Sequence, residues 1–381
     1  MKYPLAAGAL SVILLTQLGS NAAEILYPTL SLGAKAPGFS LPGVDGKTYS
    51  LETFADSKCL VVIFTCNHCP TAQYYEDRIK SLVTDYKSKG VAFVAISPND
   101  PVNGVRPDEL GYTDVGDTLE EMVIRARHKQ FNFPYLYGAE QHEAASRAYG
   151  PVVTPHVFIF DEHRKLRYQG RIDDSERIEY VNVQDTRNAL DALLDGQEPA
   201  VTQTKVVGCS IKWSDKSRDV QRYWEKYNKE PVKIAPIDAQ GLHELRANQS
   251  GPAEERKLRL VNFWATWCGP CITEFPDLMD IHRWYRQREF ELITVAAHYP
   301  DEEQEALRFL EKQHASNRNF IFGDPNKHQL MEAFDKAWSG ALPFTLLIDP
   351  DGNEIYRKEG SFDPLELKRV IVRELNQRKP W

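Results

Sequence analysis

Six cysteines carry the first chemical information in this chain of 381 residues: Cys59, Cys66, Cys69, Cys209, Cys268 and Cys271. Four of them form two Cys-x-x-Cys pairs, Cys66-Asn67-His68-Cys69 and Cys268-Gly269-Pro270-Cys271. Cysteines at this spacing at the start of a helix lie about one turn apart on one face, close enough for a disulfide to close. The first cysteine of each pair then sits among unpaired helix N–H groups and the positive end of the helix dipole. Both stabilise a thiolate and lower its pKa below the ~8.5 of free cysteine. This predicts Cys66 and Cys268 as nucleophiles, with Cys69 and Cys271 resolving a mixed disulfide from within. Zinc is the competing use of such pairs, but zinc knuckles sit in turn-rich loops, and both pairs here follow apolar runs. Haem attachment needs a histidine after the second cysteine and finds Pro70 and Ile272 instead. No metal and no cofactor is expected. His68, between two cysteines at a helix start, carries a partial charge that favours a thiolate and is read as a tuning residue. Gly269 and Pro270 hold the corresponding places in the second pair.

Elements that could position these thiols appear twice. Leu60-Val61-Val62-Ile63-Phe64 reads as a buried strand leading into the first pair. Tyr75, Ile79, Leu82, Val83 and Tyr86 then fall on one helix face, with Gly90 as a stop. Val91 to Ile96 is a second buried strand, completing a βαβ unit. The second half repeats the plan: Leu260 to Trp264, then the pair, then Phe275, Leu278, Ile281 and Tyr285 on a helix, then Leu292 to Ala297. Each half later has a proline before an apolar strand, a turn and a returning strand, at Thr154-Pro155 and Leu342-Pro343. Inserted helices are predicted over Leu119 to Lys129 and Glu303 to Gln313. A polar helical connector over 214–232 separates a first domain, 30–213, from a second, 233–381.

Trp264-Ala265-Thr266-Trp267-Cys268-Gly269-Pro270-Cys271 resembles the thioredoxin active-site signature. Pro276 stands where that family kinks its active-site helix, and Pro343 where it has a cis-proline. Asn262, in place of the buried Asp of cytosolic thioredoxins, is similar to the exported TlpA/ResA branch. There an acidic residue of the inserted segment relays protons, which points to Asp301 or Glu302. The first half resembles the peroxiredoxin-like AhpC/TSA branch through Ala36 to Pro42, Phe64 to Pro70, Phe133 to Tyr137 and Gly208 to Trp213. The P-x-x-x-T-x-x-C motif of the peroxidases fits neither Cys66 nor Cys69. The resemblances imply an α/β chain of two thioredoxin-like domains, each a mixed central sheet flanked by helices. They also imply a cis-proline edge that holds substrate, assigning Pro155 and Thr154, Pro343 and Leu342, and the surface aromatic Trp267 to substrate binding; Trp264 is read as core and His156 as lining the first groove. The implied function is thiol–disulfide exchange with exported proteins bearing cysteines or disulfides, as a reductant fed by a membrane thiol carrier. A thiol peroxidase and a binding or metallochaperone module are the alternatives. Cys59 and Cys209 either pair as a structural disulfide, or Cys209 serves the Cys66 pair as a third redox thiol. A histidine before Cys69 resembles DsbA-type oxidants, so the first site is expected to be the more oxidising and to take electrons from the second.

The rest of the sequence bounds these readings. Hydrophobic residues make up 42% of the chain, enough to fill two cores. A formal charge of −8 shows no basic excess and argues against nucleic acid as a partner. Lys2, the apolar run Leu5 to Leu15 and the small residues Ser20-Asn21-Ala22 read as a signal peptide over 1–22, cleaved near Ala22, which predicts export to the periplasm. The run is shorter than the ~20 residues of a membrane span, so no integral membrane protein is expected.

Overall fold

The computed structural model describes residues 27–249 and 251–378; the expected signal peptide lies outside the described residues. Each half is built on one mixed sheet. In the first, the strands run in the order Tyr135–Tyr137, Val91–Ser97, Cys59–Phe64, His156–Phe160 and Leu166–Gly170. Cys59–Phe64 is central, parallel to Val91–Ser97 on one side and antiparallel to His156–Phe160 on the other. The second sheet has the order Ala235–Ile237, Arg318–Phe322, Phe290–Ala296, Leu258–Trp264, Phe344–Ile348 and Glu354–Glu359, with Leu258–Trp264 in the equivalent place.

Both central strands are covered on both faces, so they read as unbroken apolar runs rather than alternating ones. Val61 and Ile63 pack with Tyr75 and Ile79 of the Pro70–Tyr86 helix, while Leu60, Val62 and Phe64 pack with Tyr149, Phe158 and Phe160 on the other side. In the second domain Leu258, Leu260 and Trp264 meet Phe275 and Leu278 of the Gly269–Tyr285 helix, and Val261 and Phe263 meet Phe322 and Phe344. Each helix crosses from the central strand to a parallel neighbour, which fixes the Cys-x-x-Cys pair at the C-terminal edge of its sheet, where ligands bind in open α/β sheets. The first helix gives way to a short 3₁₀ turn, and Gly90, at φ 88°, supplies the left-handed residue that ends it. The inserted helices run over Leu119–Lys129 and Glu303–Lys312.

The segment between the domains folds as the helix Ser217–Tyr227 and is packed, not free. Tyr227 is buried beside His282, and Arg286 grips Glu230 through two hydrogen bonds of 2.6 and 2.7 Å. A second seam joins the first domain's loop 111–117 to the second domain. Tyr285 Oη donates to the Thr113 carbonyl at 2.8 Å, Arg288 donates to the Gly111 carbonyl at 3.0 Å, and Arg369 Nε donates to Asp114 at 3.0 Å. These contacts fall at the end of the Gly269–Tyr285 helix away from Cys268, and 17 residues of helix span about 25 Å. The seam therefore does not itself bring the two cysteine pairs together, and an electron relay between them has no support in this packing.

Asp114 is buried and shared by Arg125 of its own domain and Arg369 of the other. Burial pushes its carboxyl up, but the two guanidinium groups outweigh this and hold it below the usual range. Arg369→Ala leaves a buried carboxylate half-compensated. It is expected to cost on the order of 1–3 kcal/mol and to split thermal unfolding into two transitions in calorimetry. An unchanged single transition would show that the seam does not couple the domains.

Candidate active sites

In the second domain Cys268 is the residue that caps the helix Gly269–Tyr285, and its Sγ accepts the backbone N–H of Cys271 at 3.3 Å. The two cysteines form a disulfide with Cα atoms 5.3 Å apart. Pro270 lies inside the first helical turn, where a missing N–H costs nothing. A side chain at Gly269 would meet no atom within 4 Å, so open space lies beside the pair. Trp267 is 64% exposed next to it, whereas Trp264 is fully buried. Leu342–Pro343 is a cis peptide bond, Leu342 is half-buried, and no strand pairs with Leu342 among the described residues.

Beneath this pair lies an acid that sequence reasoning missed. Glu274, one turn after Cys271, is buried; Asn262 Nδ2 donates to it at 3.1 Å and the Phe362 N–H at 3.3 Å. Burial pushes its carboxyl up from 4.5 to about 7, against those hydrogen bonds. The strand position that carries Asn262 thus faces a carboxyl supplied by the helix. Asp301 is exposed and Glu302 is used to cap the Tyr299 N–H, so the expected relay from the inserted segment has no such buried acid. The signal for Glu274 was present: it is an acid among Phe275, Leu278 and Ile281 in a helix that buries most of its residues.

The first site differs in which sulfur caps the helix. Cys69, not Cys66, is the N-cap of Pro70–Tyr86, and its Sγ accepts the Ala72 N–H at 3.4 Å. The reason is Pro70, which favours the first helical position and disfavours a helical residue before it. Cys66 and Cys69 are free thiols, 3% and 0% exposed. Cys66 Sγ lies 3.3 Å from Thr154 Oγ1, and Cys69, as a thiol, donates to the Thr154 carbonyl at 3.3 Å. Burial drives both thiols up. For Cys69, donation from the Cys209 and Cys66 thiols, the Ala72 N–H and the charge of His68 outweigh burial and bring it far below the ordinary value. For Cys66 nothing does, and it stays raised.

His68 is buried, and its Nδ1 meets Asp117 Oδ2 in a short hydrogen bond. Burial pulls the imidazole down, yet Asp117 overrides it and raises the pKa. Asp117 is itself fixed by the Asn67 N–H at 2.7 Å and by Asn99 Nδ2 at 3.1 Å. Sequence reasoning found His68 and missed Asp117, which lies far along the chain in the loop before the Leu119–Lys129 helix. Cys66, His68 and Asp117 place ligand atoms within 4.8 Å of one another, so a cation could be held there, although His68 and Asp117 already occupy each other.

Cys209 packs on Cys66, Cys69 and Ala72, whereas Cys59 begins the central strand at its far end, near Asp161 and Arg164. A strand of six residues is about 20 Å long, far beyond the reach of a disulfide, so Cys59 and Cys209 are not partners. Thr154–Pro155 is cis, but the Thr154 backbone is paired with Cys209 and is not free for an external peptide. That corrects the expectation for this edge. His156 is buried against Phe158, and burial brings it down to about 4, so it is a core histidine and does not line a groove.

Two pH dependences follow. Glu274 holds its proton up to about pH 7 in the folded chain and only to about 4.5 unfolded. The stability it contributes is present below pH 4.5 and is lost as pH rises through 7. Glu274→Gln is expected to remove this slope and to gain on the order of 2 kcal/mol relative to the native chain at alkaline pH. Denaturation curves that differ by a constant amount across the range would contradict it. At the first site, Asp117→Asn withdraws the charge that keeps His68 protonated. In a chain lacking Cys268 and Cys271, the ultraviolet thiolate band should then disappear at a higher pH than with Asp117 present. No movement of that titration would separate His68 from the thiol.

Known proteins provide the context for both sites. The Redoxin family matches residues 31–190 and 246–371, well over half of the chain and once in each domain. The thiol:disulfide interchange protein CycY of Rhizobium leguminosarum bv. viciae is 34% identical over 117 residues, covering 30% of this chain and 57% of that protein. The thiol-disulfide oxidoreductase ResA of Bacillus subtilis is 28% identical over 95 residues, covering 25% and 49%. The chain thus spans about half the length of these curated relatives. A hypothetical protein, SMc02350 of Sinorhizobium meliloti 1021, has a solved structure 35% identical to 49% of this chain and covering 96% of its own, with a TM-score of 0.43. With a buried thiol network in one domain and a helix-capping disulfide in the other, the chain has the thioredoxin-like fold and belongs to the Redoxin family.

Proposed function

We propose that the second domain is the exchange site for other proteins, and that the chain acts on exported substrates as a reductant. The observation that carries this reading is Cys268 at the helix start, disulfide-bonded to Cys271 beside the exposed Trp267 and the uncovered edge at Leu342. The positive helix end and the Cys271 N–H favour Cys268 as thiolate and therefore as both attacking and leaving sulfur. In the reducing direction Cys268 attacks a substrate disulfide, one substrate sulfur leaves as thiol, and Cys271 attacks Cys268 to release the other. The disulfide that results is reopened by an external dithiol, for which a membrane thiol carrier is the proposed source. Leu342, Pro343 and Trp267 would hold the substrate chain, and Glu274 would exchange a proton with Cys271 during resolution.

Export rests on the signal-like N-terminal sequence and on relatives named as thiol:disulfide interchange proteins. No described helix is long and apolar enough to cross a membrane. Delivery of electrons to apocytochromes is the finer form of the proposal. A peroxidase reading of the first site has less support, because burial and the neighbouring Cys69 and Asp117 push Cys66 toward the unreactive thiol.

The role assignment is checked directly. Cys268→Ser should abolish insulin-disulfide reduction by the chain, and Cys271→Ser should accumulate mixed disulfides with periplasmic proteins at Cys268. Graded-pH alkylation of the reduced chain should modify Cys268 before Cys271. Faster modification of Cys271 would reverse the roles.

A further inference from the structure

The edge of the sheet beside a cis-proline can pair with an incoming extended chain, as any exposed strand edge can. In the second domain no strand pairs with that edge at Leu342 among the described residues. In the first it is filled by the chain itself: Val153 and Thr154 pair antiparallel with Ser210 and Cys209. The fit is close, since a Cβ on Gly208 would fall 2.1 Å from the Thr154 carbonyl oxygen, so only glycine allows this approach. Residues just after Cys209 anchor the segment. The Lys212 N–H donates to Asn99 Oδ1 at 2.8 Å, its carbonyl accepts the Asp100 N–H at 2.8 Å, and its ammonium pairs with Glu109 at 2.5 Å. The pairing leaves Cys209 packed on Cys69, partly exposed, while Cys66 and Cys69 are covered.

We infer that the Gly208–Ser210 segment is a built-in pseudo-substrate of the first site, and that Cys209 and Cys69 form an exchangeable disulfide through which the domain trades electrons with low-molecular-weight thiols and disulfides instead of polypeptides. The Cys209 sulfur occupies the place of a substrate cysteine, and Cys209 is the one of the three residues that is partly exposed. In the oxidised domain Cys209, as thiolate, attacks Cys69 Sγ; the Cys66–Cys69 bond breaks, the Cys69–Cys209 bond forms, and Cys66 takes up the proton that Cys209 gave to solvent. An external thiolate attacks Cys209 Sγ, and Cys69 leaves into the hydrogen bonds of the Cys66 thiol and the Ala72 N–H. A sulfur held at low pKa is the better leaving group. A second external thiolate removes the first from Cys209 as a small disulfide, and Cys209 is reprotonated. Two thiols are oxidised and one protein disulfide is reduced; run backwards, a small disulfide is reduced.

This deepens the assignment of Cys66 and Cys69 as redox thiols and is tested apart from the second domain. The full chain carrying Cys268→Ser and Cys271→Ser is equilibrated in glutathione and glutathione disulfide buffers, quenched in acid, alkylated and peptide-mapped. A Cys69–Cys209 cross-link whose fraction follows the buffer is expected, and in Cys69→Ser glutathione should accumulate on Cys209. A map with Cys66–Cys69 alone, and Cys209 alkylated at every buffer ratio, would overturn the inference, and it needs no variant at the first site to fold. The same chain should reduce hydroxyethyl disulfide and leave insulin intact. Insulin reduction at the rate of the small disulfide would refute the pseudo-substrate, whereas loss of insulin reduction on Cys268→Ser alone bears only on the second domain.

Discussion

A cysteine sulfur that accepts a backbone N–H in the first turn of a helix is the contact on which each half of the molecule depends. Cys268 accepts from Cys271, and Cys69 accepts from Ala72. The contact satisfies a donor that the helix cannot pair by itself, and it places negative charge where the helix dipole favours it. Central strand, crossover helix and parallel neighbour then follow as the frame that holds this one turn at the sheet edge. Proline decides which sulfur takes the position. With Pro270 between the cysteines the helix starts right after the first of them, and with Pro70 after both it starts one turn later. Two pairs of the same spacing thereby present different sulfurs to the same electrostatic field.

The surroundings amplify that difference. At the second site the capping sulfur lies beside open space and an exposed indole, with a raised carboxyl below. At the first, the capping sulfur is enclosed by two other thiols and a buried His–Asp pair. Burying that much polarity is costly unless every group is satisfied. Asp117 meets this condition by accepting from His68, Asn67 and Asn99, and the Tyr135 hydroxyl donates to Asn67 at 3.1 Å. Loop 111–117 carries Asp117 at one end and the interdomain contacts of Gly111, Thr113 and Asp114 at the other. The docking of the second domain and the placement of the first site's acid therefore share one short segment. The first site and the seam are joined through it, whereas Cys268 lies at the opposite end of the Gly269–Tyr285 helix.

Periodicity and local chemistry made the elements legible. Unbroken apolar runs gave the central strands because both of their faces are covered, and the helix faces of Tyr75, Ile79 and Leu82 or of Phe275 and Leu278 are those that pack on them. The cysteine pairs and His68 were readable because spacing at a helix start is a local property. The N-cap shift to Cys69 was also local, since Pro70 was visible in the sequence, but the weight of the common pattern concealed it.

What the sequence by itself determined is therefore the two-domain α/β plan and the place of its two Cys-x-x-Cys pairs at helix starts, because strands, helices and turns follow from neighbours within a few residues. Tertiary structure alone decided which distant groups meet them. Asp117 reaches His68 across a loop, Glu274 finds Asn262 across the strand–helix layer, and Cys209 returns to Cys69 while Cys59 stays at the far end of its strand. The same return fills the Thr154 edge that local reading left open. These contacts join residues that no periodicity relates, and they depend on how loops close over the sheet edge, which only the packed chain fixes.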